Sequence, residues 1–184
     1  MTRAMLLLIA AGAAACGDPF QVTLIPNPDT PTEFTLADFN RGPLEDPPAF
    51  DLLSGGDAVR TDQVPGWDFV FVITPAGNAQ FWPRGQIVSG RTDAGLQLVS
   101  GTFDGLDVAP ATGYKKAGSI PLAVGDVIAV VSRSDPTFGG LRCRHYAKLE
   151  ILDLDLSALT VTFQILINPN CEQRSLKPGD QEAI

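Results

Sequence analysis

The chain has 184 residues, 45% of them apolar and 18% charged, with a formal net charge of −8 at pH 7. That length suits one globular domain, which can bury about 70% of the surface its unfolded chain exposes. The acidic excess argues against nucleic acid as a partner and against electrostatic attraction to anionic lipid head groups.

The N-terminus reads MTRAMLLLIAAGAAAC: one positive charge at Arg3, an apolar run from Ala4 to Ala15, then small residues before Cys16. This is the layout of an export signal over residues 1–15, and a run of about 12 apolar residues is too short to span a bilayer as a helix. The AAAC ending resembles a lipoprotein box, with Ala13 where Leu is usual, so Cys16 is expected to carry lipid. Cleavage by ordinary signal peptidase after Ala15 is the alternative. Three cysteines leave one thiol to explain in an exported protein, and acylating Cys16 leaves Cys143 and Cys171 as a pair. Attachment to a bacterial cell membrane, expected to be the outer one, would then rest on the acyl chains.

Residues 16–32 form the lipidated N-terminus and a tether, with prolines at 19, 26, 28 and 31. The alternative is an edge strand made by Val22, Leu24 and Ile25. Residues 33–176 are read as a single all-β domain and 177–184 as a polar tail. EFTL at 33–36 predicts a short strand, and AFDLLSGG at 49–56 a strand with a glycine turn. WDFVFVIT at 67–74 is apolar on both faces, so it is expected to be central and covered on both sides. FWPRGQIV at 81–88 and GLQLVSGTF at 95–103 are further predicted strands, 104–119 a long loop, and Val127–Val131 an interior strand.

The stretch from Leu141 to Glu172 reads as two strands folded on each other. If residues face one another when their numbers sum to 314, Cys143 meets Cys171, Ala147 meets Ile167, Leu149 meets Ile165, Ile151 meets Phe163 and Asp153 meets Val161. The intervening Tyr146, Lys148, Glu150, Thr162 and Gln164 are mostly polar, the alternation of a half-buried antiparallel sheet. The turn falls at Asp155 to Leu159, where aspartates are expected to cap local backbone. A disulfide here would close a loop of about 29 residues and stabilise by roughly 3–4 kcal/mol on the chain-entropy model. The expected architecture is an antiparallel β-sandwich or flattened barrel of eight or nine strands, ending in a β-meander.

Catalytic signatures are sparse. No G-x-S-x-G elbow, P-loop or G-x-G-x-x-G turn occurs, and the EF-hand glycine and glutamate are missing around Asp153 and Asp155. No metal site is predicted, since the cysteines are assigned to a disulfide and a lipid anchor. The local basic cluster Arg142, Arg144 and His145, with Tyr146 beside it, is the candidate ligand-binding site. It reads either as an anion- or cofactor-contacting face at the mouth of the hairpin or as a solvated strand end. Trp82, Tyr114 and Phe138 are aromatics expected in loops, able to line a pocket or tuck into the core.

The segments AFDLLSG, WDFVFVI, GDVIAVVSRSD, HYAKLEILDLD and LTVTFQILIN together resemble the HmuY-like lipoprotein family, over about residues 49–168. The resemblance implies an all-β lipoprotein scaffold and, from the family's founding members, haem held by two histidine or methionine side chains. This sequence departs from that pattern: His145 is its single histidine, and Met1 and Met5 leave with the signal. A bis-His or His/Met pair within one mature chain is therefore excluded. One-sided ligation by His145, Tyr114 or Tyr146, or haem shared between two copies, stays open. The reading is thus an exported, lipid-anchored binding or interaction module and not an enzyme. The alternatives are a haem- or small-ligand-binding lipoprotein and a hydrolase with a non-sequential site.

Overall fold

The computed structural model describes residues 23–91, 93–135 and 143–181. The expected export signal, Cys16, Arg142 and Phe138 lie outside the described residues. The described chain forms two five-stranded antiparallel sheets that stay open, a sandwich and not a barrel. One sheet contains β1 (Thr32–Ala37), β6 (Gly95–Val99), β8 (Val127–Val131), β9 (Tyr146–Asp155) and β10 (Thr160–Ile167), in the order β1-β10-β9-β8-β6. The other contains β2 (Ala49–Asp51), β3 (Asp57–Val59), β4 (Phe69–Ile73), β5 (Ala79–Pro83) and β7 (Ile120–Pro121), in the order β3-β2-β4-β5-β7. Strands β8, β9 and β10 are neighbours in chain order, which is the expected C-terminal meander.

The core lies between the sheets and is built around phenylalanines. Phe34, Phe50, Phe69, Phe81 and Phe163 interlock, with Phe69 and Phe81 ring centroids 4.8 Å apart and Phe50 and Phe163 edge-on at 5.5 Å. Each ring buried in this way contributes roughly 2–3 kcal/mol from area alone. Strand β4 is buried along its whole length: Phe69, Phe71 and Ile73 face the core, while Val70 and Val72 pack with Trp67 and Trp82 on the other side. Its predicted central, doubly covered position is what the sheet order gives it.

The final hairpin keeps the predicted register where its apolar pairs are. Ala147 faces Ile167, Leu149 faces Ile165 and Ile151 faces Phe163. Beyond Ile151 the register shifts by one residue, so Asp153 faces Thr162 and not Val161. Leu152 is the extra residue of this bulge and is exposed. The shift sets Leu154 opposite Val161, exchanging an aspartate-valine pair for an apolar one; register follows the side chains that must be buried. At the turn, Asp155 Oδ1 accepts hydrogen bonds from the Ser157 and Ala158 amides and the Ser157 hydroxyl, which hold its carboxyl below the usual range.

Elsewhere the expectations need three corrections. Residues 84–87 form a short helix, Arg84–Ile87, because Pro83 ends β5 and Arg84 to Ile87 wind over the outer face of that sheet instead of continuing it. Trp82 belongs to β5, not to a loop. Tyr146 and Lys148, read as polar-face positions, are buried, because the long connection after β6 folds back over that face with Phe103, Leu106 and Ala109. Before β1, the Ile25 amide and carbonyl bond the Asn170 side chain, and Asn27 binds the Ser175, Lys177 and Asp180 backbone.

Candidate functional site

The cysteines at the open end of the hairpin are bonded, Cys143 to Cys171, with Cα atoms 4.8 Å apart. The bond fixes the chain on either side of His145. A backbone bond from the Ser132 amide to the His145 carbonyl continues the β8–β9 pairing to this point, and the His145 amide donates in turn to the Ser132 side-chain Oγ. The imidazole is oriented from both sides. Its Nδ1 lies 3.1 Å from the Asn168 carbonyl, which assigns the proton to Nδ1, and its Nε2 lies 3.8 Å from Cys143 Sγ. Asn168 is itself fixed, its amide donating to the Ser175 carbonyl and its Oδ1 accepting from the Asn170 amide.

His145 and Cys171 form part of the wall of a cleft of about 430 Å³ at this end of the sandwich. The rest of the lining is mostly apolar: Phe34 from β1, Ile165 and Ile167 from β10, and Leu52 beside the Leu53–Gly55 turn. The cleft therefore opens where the two sheets separate, with a polar edge made by Thr32, Asp135 and His145.

The other members of the predicted basic cluster do not join it. Arg144 and Tyr146 line a separate cavity of about 250 Å³ on the opposite face of the sheet, with Tyr114 and Lys116. The cause is the pleat: consecutive residues of an extended chain point to opposite faces, so His145 goes to one side and its neighbours to the other. Arg144 is committed to Glu172 through two bonds of 2.9 Å, which hold its guanidinium above its ordinary pKa. Tyr114 is pushed up by burial, and its hydroxyl has no hydrogen-bond partner among the described residues. Its ring lies 6.3 Å from that of Tyr146. Both tyrosines line this other cavity and neither lines the His145 cleft.

A second polar cluster joins the sheets a short distance away. Asp68, completely buried at the head of β4, accepts from the Leu52 amide at 2.7 Å and the Arg133 amide at 2.7 Å. The Arg133 guanidinium, following β8, makes a two-pronged contact with Asp51 at 2.8 and 2.9 Å and lies 3.3 Å from Asp68. Burial pushes Asp68 up to about 6, with Arg133 and the two amides opposing the rise. Gly66 passes directly under this guanidinium; a Cβ there would lie 2.8 Å from Arg133 Nη2. Asp68 stood out in the sequence only as part of the segment WDFVFVI, and Arg133 only as part of GDVIAVVSRSD. Their partnership spans 65 residues and left no local pattern.

His145 is the sole histidine of the sequence, and neither Tyr114 nor Tyr146 lines its cleft. Comparison with known protein families, with curated proteins and with solved structures finds no match.

Proposed function

We propose that this chain is a binding module that holds a small, largely apolar ligand in the cleft beside His145 and is carried on a membrane by lipid on Cys16. The cleft carries the reading. Its volume of about 430 Å³ lies within the usual span for small-molecule sites, and apolar walls with a few polar groups on one edge are their common design. The lipid anchor rests on the signal-like N-terminus and the AAAC ending, and the resemblance of the strand motifs to HmuY-like lipoproteins points the same way. A binding role is favoured over an enzymatic one by the lining. Among the described residues its titratable side chains are Asp135 and His145, and the imidazole is engaged by a carbonyl on one side and a disulfide sulfur on the other.

The test is a titration of the soluble domain with a fluorescent apolar probe and, separately, with haemin. Probe binding near one equivalent, weakened at least tenfold by Thr32→Trp at the cleft mouth, is the expected result. Equal binding by the wild type and Thr32→Trp would place the ligand elsewhere and refute the cleft. A haemin Soret band lost in His145→Ala would identify one-sided ligation as the specific chemistry. Intact mass of membrane-extracted protein checks the anchor: diacylated Cys16 at the N-terminus supports it, and a free thiol there counts against it.

A further inference from the structure

The same cluster that orients His145 has the composition of a metal site in another redox state. Cys143 Sγ, Cys171 Sγ and a ring nitrogen of His145 all lie within 4.8 Å of one another. In tetrahedral zinc coordination, bonds of about 2.3 Å to sulfur and about 2.0–2.1 Å to nitrogen put two sulfurs about 3.8 Å apart and sulfur and nitrogen about 3.6 Å apart. The observed Nε2 to Cys143 Sγ separation is 3.8 Å, already that of two ligands on one ion. The nitrogen beside Cys143 Sγ, Nε2, is the one that would bind. The other, Nδ1, is set against the Asn168 carbonyl, the arrangement in which a metal-bound imidazole donates its remaining N–H to fixed backbone.

We infer that the reduced form of this protein holds one thiophilic divalent cation, such as zinc, on Cys143, Cys171 and His145 Nε2, and that the disulfide is the closed state of a redox-gated metal site. The steps balance. Two molecules of a small thiol reduce the disulfide to two cysteine thiols and leave as one disulfide. The cation then binds both sulfurs as thiolates, releasing two protons to solvent. His145 adds a neutral nitrogen, and the fourth position opens toward the cleft that His145 and Cys171 line. The packed β9–β10 pairs, Ala147 with Ile167 and Leu149 with Ile165, keep the hairpin ends together when the covalent link is gone. The inference does not rest on the proposed ligand of the cleft.

Cobalt(II) is the probe. The full chain carrying Cys16→Ser, reduced without oxygen by a phosphine, is titrated with cobalt(II) and followed by absorbance, with circular dichroism checking that the β structure persists. One equivalent should bind with the intense visible bands of tetrahedral cobalt and a sulfur-to-metal charge-transfer band. The oxidised chain should show neither. His145→Ala should bind at least tenfold more weakly, and Cys143→Ser with Cys171→Ser should lose the charge-transfer band while remaining folded. A pale octahedral spectrum, equal binding by the oxidised chain, an unchanged affinity in His145→Ala, or loss of β structure on reduction would each overturn it.

Discussion

Two charges are buried in different parts of the sandwich, Asp68 at the head of β4 and Lys148 on β9, and the fold treats them differently. Asp68 sits where the sheets meet, with two backbone amides and a guanidinium converging on it. Lys148, on the outer face of β9, is equally inaccessible, yet its ammonium has no hydrogen-bond acceptor among the described residues. It lies 4.7 Å from the centre of the Phe103 ring, with the carboxylates of Asp104 and Asp107 acting from further away. The first charge ties β2, β4 and β8 into one geometry; the second is carried into the interior by its aliphatic stem and tolerated under a loop. A buried charge specifies structure when donors from separate strands converge on it, and merely costs desolvation when they do not.

The largest expected effect breaks the first side of this comparison. Arg133→Met leaves Asp68 and Asp51 without their cation and should lower unfolding stability by about 3–5 kcal/mol in denaturant titrations. A loss under about 1 kcal/mol would mean that the amides of Leu52 and Arg133 hold Asp68 unaided.

Next comes the pH dependence of the same group. The native Asp68 carboxyl keeps its proton to a higher pH than the unfolded one, so the native state is favoured while that proton is on and loses the advantage as pH climbs from about 4 to about 6. Relative to Asp68→Asn, the wild type should lose about 3 kcal/mol across that window. Arg133, which faces Asp68, keeps its charge throughout this window and does not mask the slope. Parallel profiles for the two proteins would show that Asp68 titrates as an ordinary carboxyl.

On the other side, Lys148→Met should leave stability unchanged or raise it by about 1 kcal/mol, because a hydrophobe of similar length replaces a desolvated ammonium. Burial lowers the Lys148 pKa, so the native state binds its proton less readily than the unfolded chain, and stability should rise with pH below the ordinary lysine range. That alkaline gain should vanish in Lys148→Met. A loss of more than about 2 kcal/mol in the variant would make Lys148 a structural tie after all. The smallest effect is the coupling between Lys148→Met and Phe103→Leu in a double-mutant cycle, expected at about 0.5–1 kcal/mol for a cation over a ring. Zero coupling would reduce their contact to packing.

The candidate site was partly legible. His145 was singled out as the only histidine beside basic neighbours, and it does line the cleft; that Arg144 and Tyr146 would face away was also written in the alternation, since neighbours in a strand cannot share a face. The cleft walls carried no signal, because Phe34, Leu52, Ile165 and Ile167 look like any other core residues until two sheets diverge between them.

Alternation and the cysteines by themselves determined the all-β class, the central place of β4, the register of Ala147, Leu149 and Ile151 against β10, and the pairing of Cys143 with Cys171. Each follows from a period of two and from partners within one hairpin or one strand, where neighbouring residues settle the outcome. Only the tertiary structure decided that the register slips at Leu152, that a segment beginning near Phe103 buries Lys148, and that Arg133 closes on Asp51 and Asp68. The last two join residues tens of positions apart, and the slip depends on which partner Val161 must bury. A local pattern says which face of a strand is apolar, but what finally covers that face is fixed by distant chain competing for the same surface.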